Sequence, residues 1–544
     1  MTELQTNDKI RHGESFPKRY YVKTFGCQMN EHDSEKLGAT LTADGLLATD
    51  NIDEADVVVF NTCCIRENAD NKLYGHLGNL RERSLKDPNF QLVVAGCLAQ
   101  RDKQDLLKRA PFIDVVLGTN NTARVADLLK QAEESKSSVV EVLDFADQDS
   151  ENLFFEDALR IPLGPSDPAW SQKASLPAVA AEKHSAYLTI QSGCDNSCAF
   201  CIVPSVRGPE VSVPFGKLIG QVREMAAGGV SEVTLLGQNV NSYGRDITVA
   251  LRRIAGSSDL PEQLQEGYRQ TNISSGGGSE HSGRLSDYEI YLAGERWVNT
   301  SPRPRPLFAD LLRAVGEVDG IKRVRFTSPH PKDLRPETIE AMAETPAVCE
   351  QLHLPLQSGS DAVLKAMRRG YTAEMYLDRL EKARAAIEDL AVTTDLIVGF
   401  PGETEEDFLA TLELAAEVCF DSAYVFIFSP RKGTRAAEME ADFVAEEVIA
   451  DRFSRLNGVI ERSALNKNLS RVGKTEEVLV EGISKKDEAH LTGRTRQGKL
   501  VHFKPHFVDG ENVGPVRRSP YPTGSYLSVK ITAAAPHHLF GELI

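Results

Sequence analysis

A chain of 544 residues, 41% apolar and 26% charged, exceeds what one hydrophobic core organises and calls for two to four domains. No run of about 18 apolar residues occurs, so no membrane span and no membrane partner is expected, and the polar first 16 residues give no expectation of a secretory leader. The formal net charge of −17 weighs against a polyanion partner over the whole surface; from Arg471 onward, however, 11 Lys and Arg stand against 8 Asp and Glu, which puts any such contact in that tail or in local clefts.

Residues 18–145 alternate short apolar runs ("RYYVKTFG", "DVVVFN", "QLVVAG", "IDVVLG") with polar, helix-compatible stretches, the pattern of an α/β domain around a parallel sheet. Residues 146–182, rich in Pro, Ser and Asp, read as a linker. A second series spans 183–470, with strands predicted at "AYLTI", "SEVTLLG", "KRVRFTS", "EQLHLPL", "VTTDLIVGF" and "SAYVFIFS" and helices between them. Six strand–helix units predict a partial (β/α)6 barrel with its working loops at the C-terminal strand ends. The stretch 246–304, with "SSGGGSEHSG" and "SPRPRP", reads as a surface insertion. Residues 471–535 hold short strands separated by Gly and charged turns and predict a small antiparallel β-barrel.

Nine cysteines without a leader fit a reducing compartment, the cytoplasm, where clustered thiols bind metal or do redox work. Cys194, Cys198 and Cys201 stand in "GCDNSCAFC", directly after the first barrel strand. A zinc site needs a fourth ligand, and His184 falls at the far end of that strand. Thiolates also hold iron–sulfur clusters, and a four-iron cluster on three thiolates keeps one iron open to a small molecule. Cys27, Cys63 and Cys97 each stand just past a predicted strand, 36 and 34 residues apart, one strand–helix unit per interval. Equivalent strand ends of a parallel sheet share one edge, so these three read as a second three-thiolate site. Cys64 competes with Cys63, which is favoured because it keeps the offset that Cys27 and Cys97 show after their strands. Cys349 and Cys419, single cysteines in helix-to-strand connections, are expected to be packing residues.

The C-x3-C-x2-C loop after the first strand of a partial barrel resembles the radical S-adenosylmethionine enzymes. With the N-terminal cysteines and the small C-terminal barrel, the chain resembles their methylthiotransferase family over residues 18–535, linker and insertion apart. The segments that carry the likeness are "TFGCQMNEHDSEKL", "NTCCIREN", "GCDNSCAFCIVPSVRG", "LLGQNVNSYG", "FTSPHP", "LHLPLQSGSD", "MRRGYT" and "DLIVGFPGET". The resemblance implies two 4Fe-4S clusters, an auxiliary one on Cys27, Cys63 and Cys97 that carries or donates sulfur, and a radical-generating one on Cys194, Cys198 and Cys201 that binds S-adenosylmethionine. It implies insertion of sulfur and a methyl group at carbon 2 of an isopentenylated adenosine next to the anticodon of tRNA, with a reductant and a sulfur donor as further partners. An aromatic C–H offers neither an acidic proton nor a leaving group; hydrogen transfer to a carbon radical avoids both obstacles but needs close positioning.

Gln238 and Asn239 end the second barrel strand, Gln357 and Ser358 follow the fourth, and Gly399 follows the fifth. Cofactor or substrate contact and plain strand-end chemistry stay equally open for these five. The tail resembles the TRAM domain, and Lys485, Lys486, Arg494, Arg496 and Lys499 are expected beside RNA phosphates. Val213 stands where the family often has Arg. Two other readings keep the same cysteines: a methylthiotransferase of threonylcarbamoyladenosine tRNA or of a ribosomal protein, and, in another class, a non-catalytic iron–sulfur RNA-binding protein.

Overall fold

The run Val57–Phe60 lacks polar alternation, as a strand covered on both faces should, and it lies near the middle of the first sheet. The computed structural model describes residues 17–63, 67–142, 184–256, 291–297, 305–485, 487–505 and 521–544. The linker 146–182, Cys64, Lys486 and most of 246–304 lie outside them. Two units are present, Met1–Asp144 and Phe145–Ile544.

In the first unit, β1 (Arg19–Thr24), β2 (Leu47–Ala48), β3 (Val57–Thr62), β4 (Gln91–Gly96), β5 (Val115–Leu117) and β6 (Val139–Glu141) form one sheet in the order β2-β1-β3-β4-β5-β6. All of its pairs are parallel. Alternate side chains of β3 feed two cores: Val58 and Phe60 pack with Leu73, Leu77, Leu98 and Leu106, and Val57 and Val59 with Leu37, Leu41, Leu128 and Leu129. The helices Gln28–Ala43 and Val125–Ser135 thus cover one face, and Glu67–Lys86, Cys97–Asp102 and Gln104–Arg109 the other.

The second unit opens with β7 (Ser185–Thr189), the short antiparallel pair β8 (Gln191–Ser192) and β9 (Val211–Ser212), then β10 (Glu232–Leu236) and β11 (Arg323–Phe326). β12 (Gln351–His353), β13 (Ala391–Val398) and β14 (Ser422–Ile427) complete six parallel strands in two sheets, β7-β10-β11 and β12-β13-β14. The seam between the sheets is bridged at Val324–Val348. β13 shows the two-sided logic: Val392, Leu396 and Val398 join the core under the helices, and Thr393 and Asp395 point the other way, where His353 of β12 meets both, at 3.0 Å and 3.4 Å.

Part of the stretch expected as a surface insertion belongs to the packed body. The helix Arg245–Gly256 buries Ile247, Thr248 and Leu251, and Leu292 and Ala293 are buried as well. Ile247 and Leu251 are four apart on one helical face, a signal hidden by the Gly- and Ser-rich residues that follow. Val213 is half-buried against the same core, and its carbonyl accepts the Tyr243 hydroxyl at 2.8 Å, so an apolar side chain suits this place.

β15 (Thr475–Ile483), β16 (Leu491–Arg494), β17 (Leu500–Lys504), β18 (Tyr526–Ala535) and β19 (His538–Leu543) close a barrel, antiparallel as expected except for the parallel pair β17–β19. It is docked by cations. Arg323, with no exposed surface, donates to Arg494 O at 2.8 Å and to Glu477 O and Oε1 at 2.9 Å. Arg325 donates to the carbonyls of Thr495 and Arg496 at 2.8 Å. In return, Arg496 holds Glu350 through Nε and Nη2 and reaches the carbonyls of Pro346 and Val348. Lys499 is buried against Asp421 at 2.7 Å. Arg496 and Lys499, expected beside RNA phosphates, thus serve a joint within the chain. Lys485 and Arg494 remain exposed.

Candidate functional site

The three N-terminal cysteines converge at one sheet edge. Cys27 follows β1 and precedes the helix Gln28–Ala43, with its carbonyl accepting from Asn30 N and Glu31 N. Cys63 is buried just past β3, and Cys97 is the buried first residue of the helix after β4. Gly26 has φ +112°, and a Cβ built there lies 2.2 Å from Cys63 Cβ and 2.7 Å from its sulfur, so only glycine lets the β1 end approach so closely. Asn30, fully buried, aims Oδ1 at Cys27 Sγ (3.9 Å) and Cys97 Sγ (4.0 Å), and 3.9 plus 4.0 caps that sulfur–sulfur separation at 7.9 Å. Among the described residues no three His, Cys, Asp or Glu side chains gather tightly enough for one ion. A four-iron cluster instead takes each thiolate at a separate iron, so its three ligands need only share one edge.

The second triplet lies on a loop pinned at several points. Gly193, at φ +74°, passes so near Pro209 O that a Cβ would lie 1.8 Å from it. Cys194 N donates to Gly208 O, Cys201 N to Cys198 O, and Ala199 N to Met367 O, at 3.0–3.1 Å. Burial pushes the Cys201 thiol up to about 12 and the Cys194 thiol up to about 11. As thiolates these sulfurs would need compensating positive charge, which an iron–sulfur cluster would supply. The protein adds a cation of its own, as Arg369 Nη1 donates to Cys198 Sγ at 3.3 Å.

The five strand-end residues fall into two groups, joined by no hydrogen bond among the described residues. Asn239 is buried, with Nδ2 on Asp333 Oδ2 at 2.9 Å and Oδ1 lacking a partner; Gln238 beside it is half-buried. Gln357 takes φ +71° and bonds β13 through its backbone, to Asp395 O and from Ile397 N. Ser358 Oγ pairs with Thr411 Oγ1 at 3.1 Å, and Gly399 N donates to Glu403 Oε1 at 3.3 Å. Local structure accounts for the bonds of Ser358 and Gly399, whereas Asn239 keeps a buried acceptor in reserve.

Three residues here escape sequence reading. His330 is buried, with Nδ1 accepting from Lys332 N and Nε2 unpartnered; burial, then the nearby cations Arg369, Lys332 and Arg379, hold its imidazole neutral. Burial also pushes the Glu210 carboxyl up to about 8, against the Ser242 hydroxyl it accepts at 2.6 Å. The third is Arg369. "FTSPHP", "RGPE" and "MRRGYT" hold them, but no local spacing tells which side chain turns inward. Cys349 is buried as expected, whereas Cys419 is exposed at a left-handed helix end (φ +54°) and is not a packing residue.

Residues 19–118 match the uncharacterized protein family UPF0004, residues 188–415 the radical SAM superfamily and residues 469–544 the TRAM domain. The chain is 43% identical over 528 residues to the tRNA-2-methylthio-N(6)-dimethylallyladenosine synthase of Mycobacterium sp. (strain JLS), spanning 96% of this chain and 89% of that protein. Identity to the synthase of Mycobacterium sp. (strain KMS) is 43%, over 100% and 91% of the two chains. The chain belongs to this synthase family. The synthase of Mycolicibacterium smegmatis is 42% identical, over 97% of this chain and 88% of its own. Within this member of the synthase family, Cys27, Cys63 and Cys97 lie in the first matched block and Cys194, Cys198 and Cys201 in the second.

Proposed function

We propose that Cys194, Cys198 and Cys201 hold a radical-generating 4Fe-4S cluster that binds S-adenosylmethionine, and that Cys27, Cys63 and Cys97 hold a second, auxiliary cluster carrying the sulfur. The chain is a radical methylthiotransferase that places sulfur and a methyl group on carbon 2 of N6-isopentenyladenosine beside the anticodon of tRNA. The observation that supports two clusters is the pair of cysteine triplets, each gathered at C-terminal strand ends. Cys194, Cys198 and Cys201 would hold the cluster, which when bound would supply the electron for reductive cleavage of S-adenosylmethionine. The chain's own groups bind, orient and exclude water, with Asn239, held on Asp333, and His330, beside the Tyr371 ring, each offering a buried, unpartnered polar atom.

A low-potential reductant and a sulfur source complete the reaction, and the tRNA pool puts the enzyme in the cytoplasm. No helix among the described residues is long and apolar enough to cross a membrane. The dimethylallyl names of the relatives favour this branch over the threonylcarbamoyl one.

The test compares Cys198→Ala with Cys63→Ala in anaerobically reconstituted protein. Cys198→Ala should release no 5′-deoxyadenosine, whereas Cys63→Ala should still release it yet make no thiolated nucleoside. Equal loss of both activities in both variants refutes separate roles. Mass analysis of tRNA nucleosides from a strain lacking the gene tests the substrate; undiminished methylthiolated isopentenyladenosine would refute it.

A further inference from the structure

Arg369 is a buried cation with no carboxylate of its own. It is 6% exposed, and among the described residues it forms no ion pair with Asp or Glu. Its side-chain donors reach Cys198 Sγ at 3.3 Å, Tyr371 Oη at 3.3 Å and, at the limit of hydrogen bonding, Pro355 O at 3.5 Å. A buried charge costs several kcal/mol unless an opposite charge and satisfied hydrogen bonds offset it. The remaining candidate for that anion is the sulfur at Cys198.

The surroundings hold the side chain in this pose. The helix Asp361–Ala366 ends, Arg368 takes φ +59°, and Arg369 N returns to Leu364 O at 3.0 Å. Met367 O, two residues earlier, accepts Ala199 N, which ties the cysteine loop to the same turn. Tyr371 Oη donates to Leu356 O at 2.7 Å and so fixes the oxygen that accepts Arg369 Nε; its ring lies 5.5 Å from the guanidinium carbon. A clamped, planar donor loses little entropy on bonding its partner.

Resting on the reading that Cys194, Cys198 and Cys201 hold the radical-generating cluster, we propose that Arg369 is the cluster's built-in counter-cation, its Nη1–H bonded to the Cys198 thiolate and raising the reduction potential. Reduction adds one electron and no proton, supplied by a low-potential one-electron donor, and no bond forms or breaks at Arg369. Hydrogen bonds to the sulfurs and local charge set cluster potentials. A fixed cation in a low-dielectric site favours the more negative, reduced state. Arg369 acts through Cys198 and is a positioning residue.

The experiment uses full-length Cys27→Ala/Cys63→Ala/Cys97→Ala protein, reconstituted anaerobically so that only the Cys194 site is loaded. A dithionite titration followed by EPR, without S-adenosylmethionine, gives the midpoint. Arg369→Met should make one-electron reduction at least tenfold less favourable, 59 mV more negative. Arg369→Lys keeps the charge, loses the fork, and should recover more than half of that shift. An unchanged midpoint in Arg369→Met overturns the proposal, as does an unchanged midpoint with weakened S-adenosylmethionine binding, which would assign the guanidinium to the cofactor's carboxylate. If Arg369→Met assembles no cluster, Arg369→Gln decides by the same measure. A triple-alanine background with no reduced-cluster signal overturns the cluster reading and this proposal together; a signal that fails to move overturns only the role of Arg369.

Discussion

Replacing Gly26 by Ala tests the N-terminal site without touching a cysteine. The added Cβ would lie 2.2 Å from Cys63 Cβ, and ordinary contact begins at 3.4 Å, so Cys63 must retreat by about 1.2 Å, the difference of the two. Metal–ligand distances tolerate roughly 0.2 Å, several times less. The backbone on the Gly26 side is itself pinned, by Phe25 N on Asn61 O and Asn30 N on Cys27 O, which leaves Cys63 to move. Left-handed backbone at a non-glycine costs about 1–2 kcal/mol and overpacking about 1–3 kcal/mol, together roughly 2–5 kcal/mol. Gly45→Ala is the control: φ is +94° but nothing lies within 4 Å of its Cβ, so it carries only the first cost. Both variants are purified anaerobically, and iron per chain and thermal unfolding are measured. Gly45→Ala should keep roughly eight irons per chain and Gly26→Ala roughly four, with 5′-deoxyadenosine release intact and the thiolated nucleoside lost. Full iron in Gly26→Ala would refute the assignment of Cys63, because a thiolate displaced that far cannot hold its iron.

The docked barrel gives further tests. Arg496→Ala should lower stability by about 1.5–3 kcal/mol, as loss of hydrogen bonds to a charged group does; an unshifted denaturant midpoint contradicts this. Burial works against the Glu350 carboxylate, yet the Arg496 hydrogen bonds win and hold it below its ordinary range. Its stabilisation is therefore complete above about pH 4.3, the unfolded value, and lost as pH falls through the lowered folded value. Glu350→Gln should erase that acid-side loss, and superimposable acid-unfolding curves for the two proteins would sink the argument. Lys485→Ala should reduce the salt dependence of tRNA binding by about one counterion, whereas Arg496→Ala, at a temperature where it is folded, should leave that slope unchanged. The opposite pattern would mean that Arg496 leaves Glu350 for the RNA.

The strand ends were legible because they are local: an apolar run, then Gly or Thr, then Cys. That offset recurs at Cys27, Cys63 and Cys97, and parallel pairing carries it to one edge. The helix Arg245–Gly256 was not, because the composition of its C-terminal neighbours masked its spacing. The arginines were illegible for a stronger reason. Arg369 is 171 residues from Cys198, and Arg496 is 146 from Glu350, so no local pattern names the partner. A cation in a loop looks the same in sequence whether it meets a phosphate, a carboxylate or a thiolate. What separates the cases is burial together with the identity of the anion. Arg323 is fully buried on carbonyls and Glu477, which makes it a joint; Arg496 is half-buried on Glu350, which spends its charge within the chain. Arg369 is as buried as a joint requires, yet among the described residues it pairs with no carboxylate and donates to a cysteine sulfur. A guanidinium kept out of water between neutral oxygens and that sulfur makes physical sense when the sulfur carries a lasting negative charge, as a cluster thiolate does.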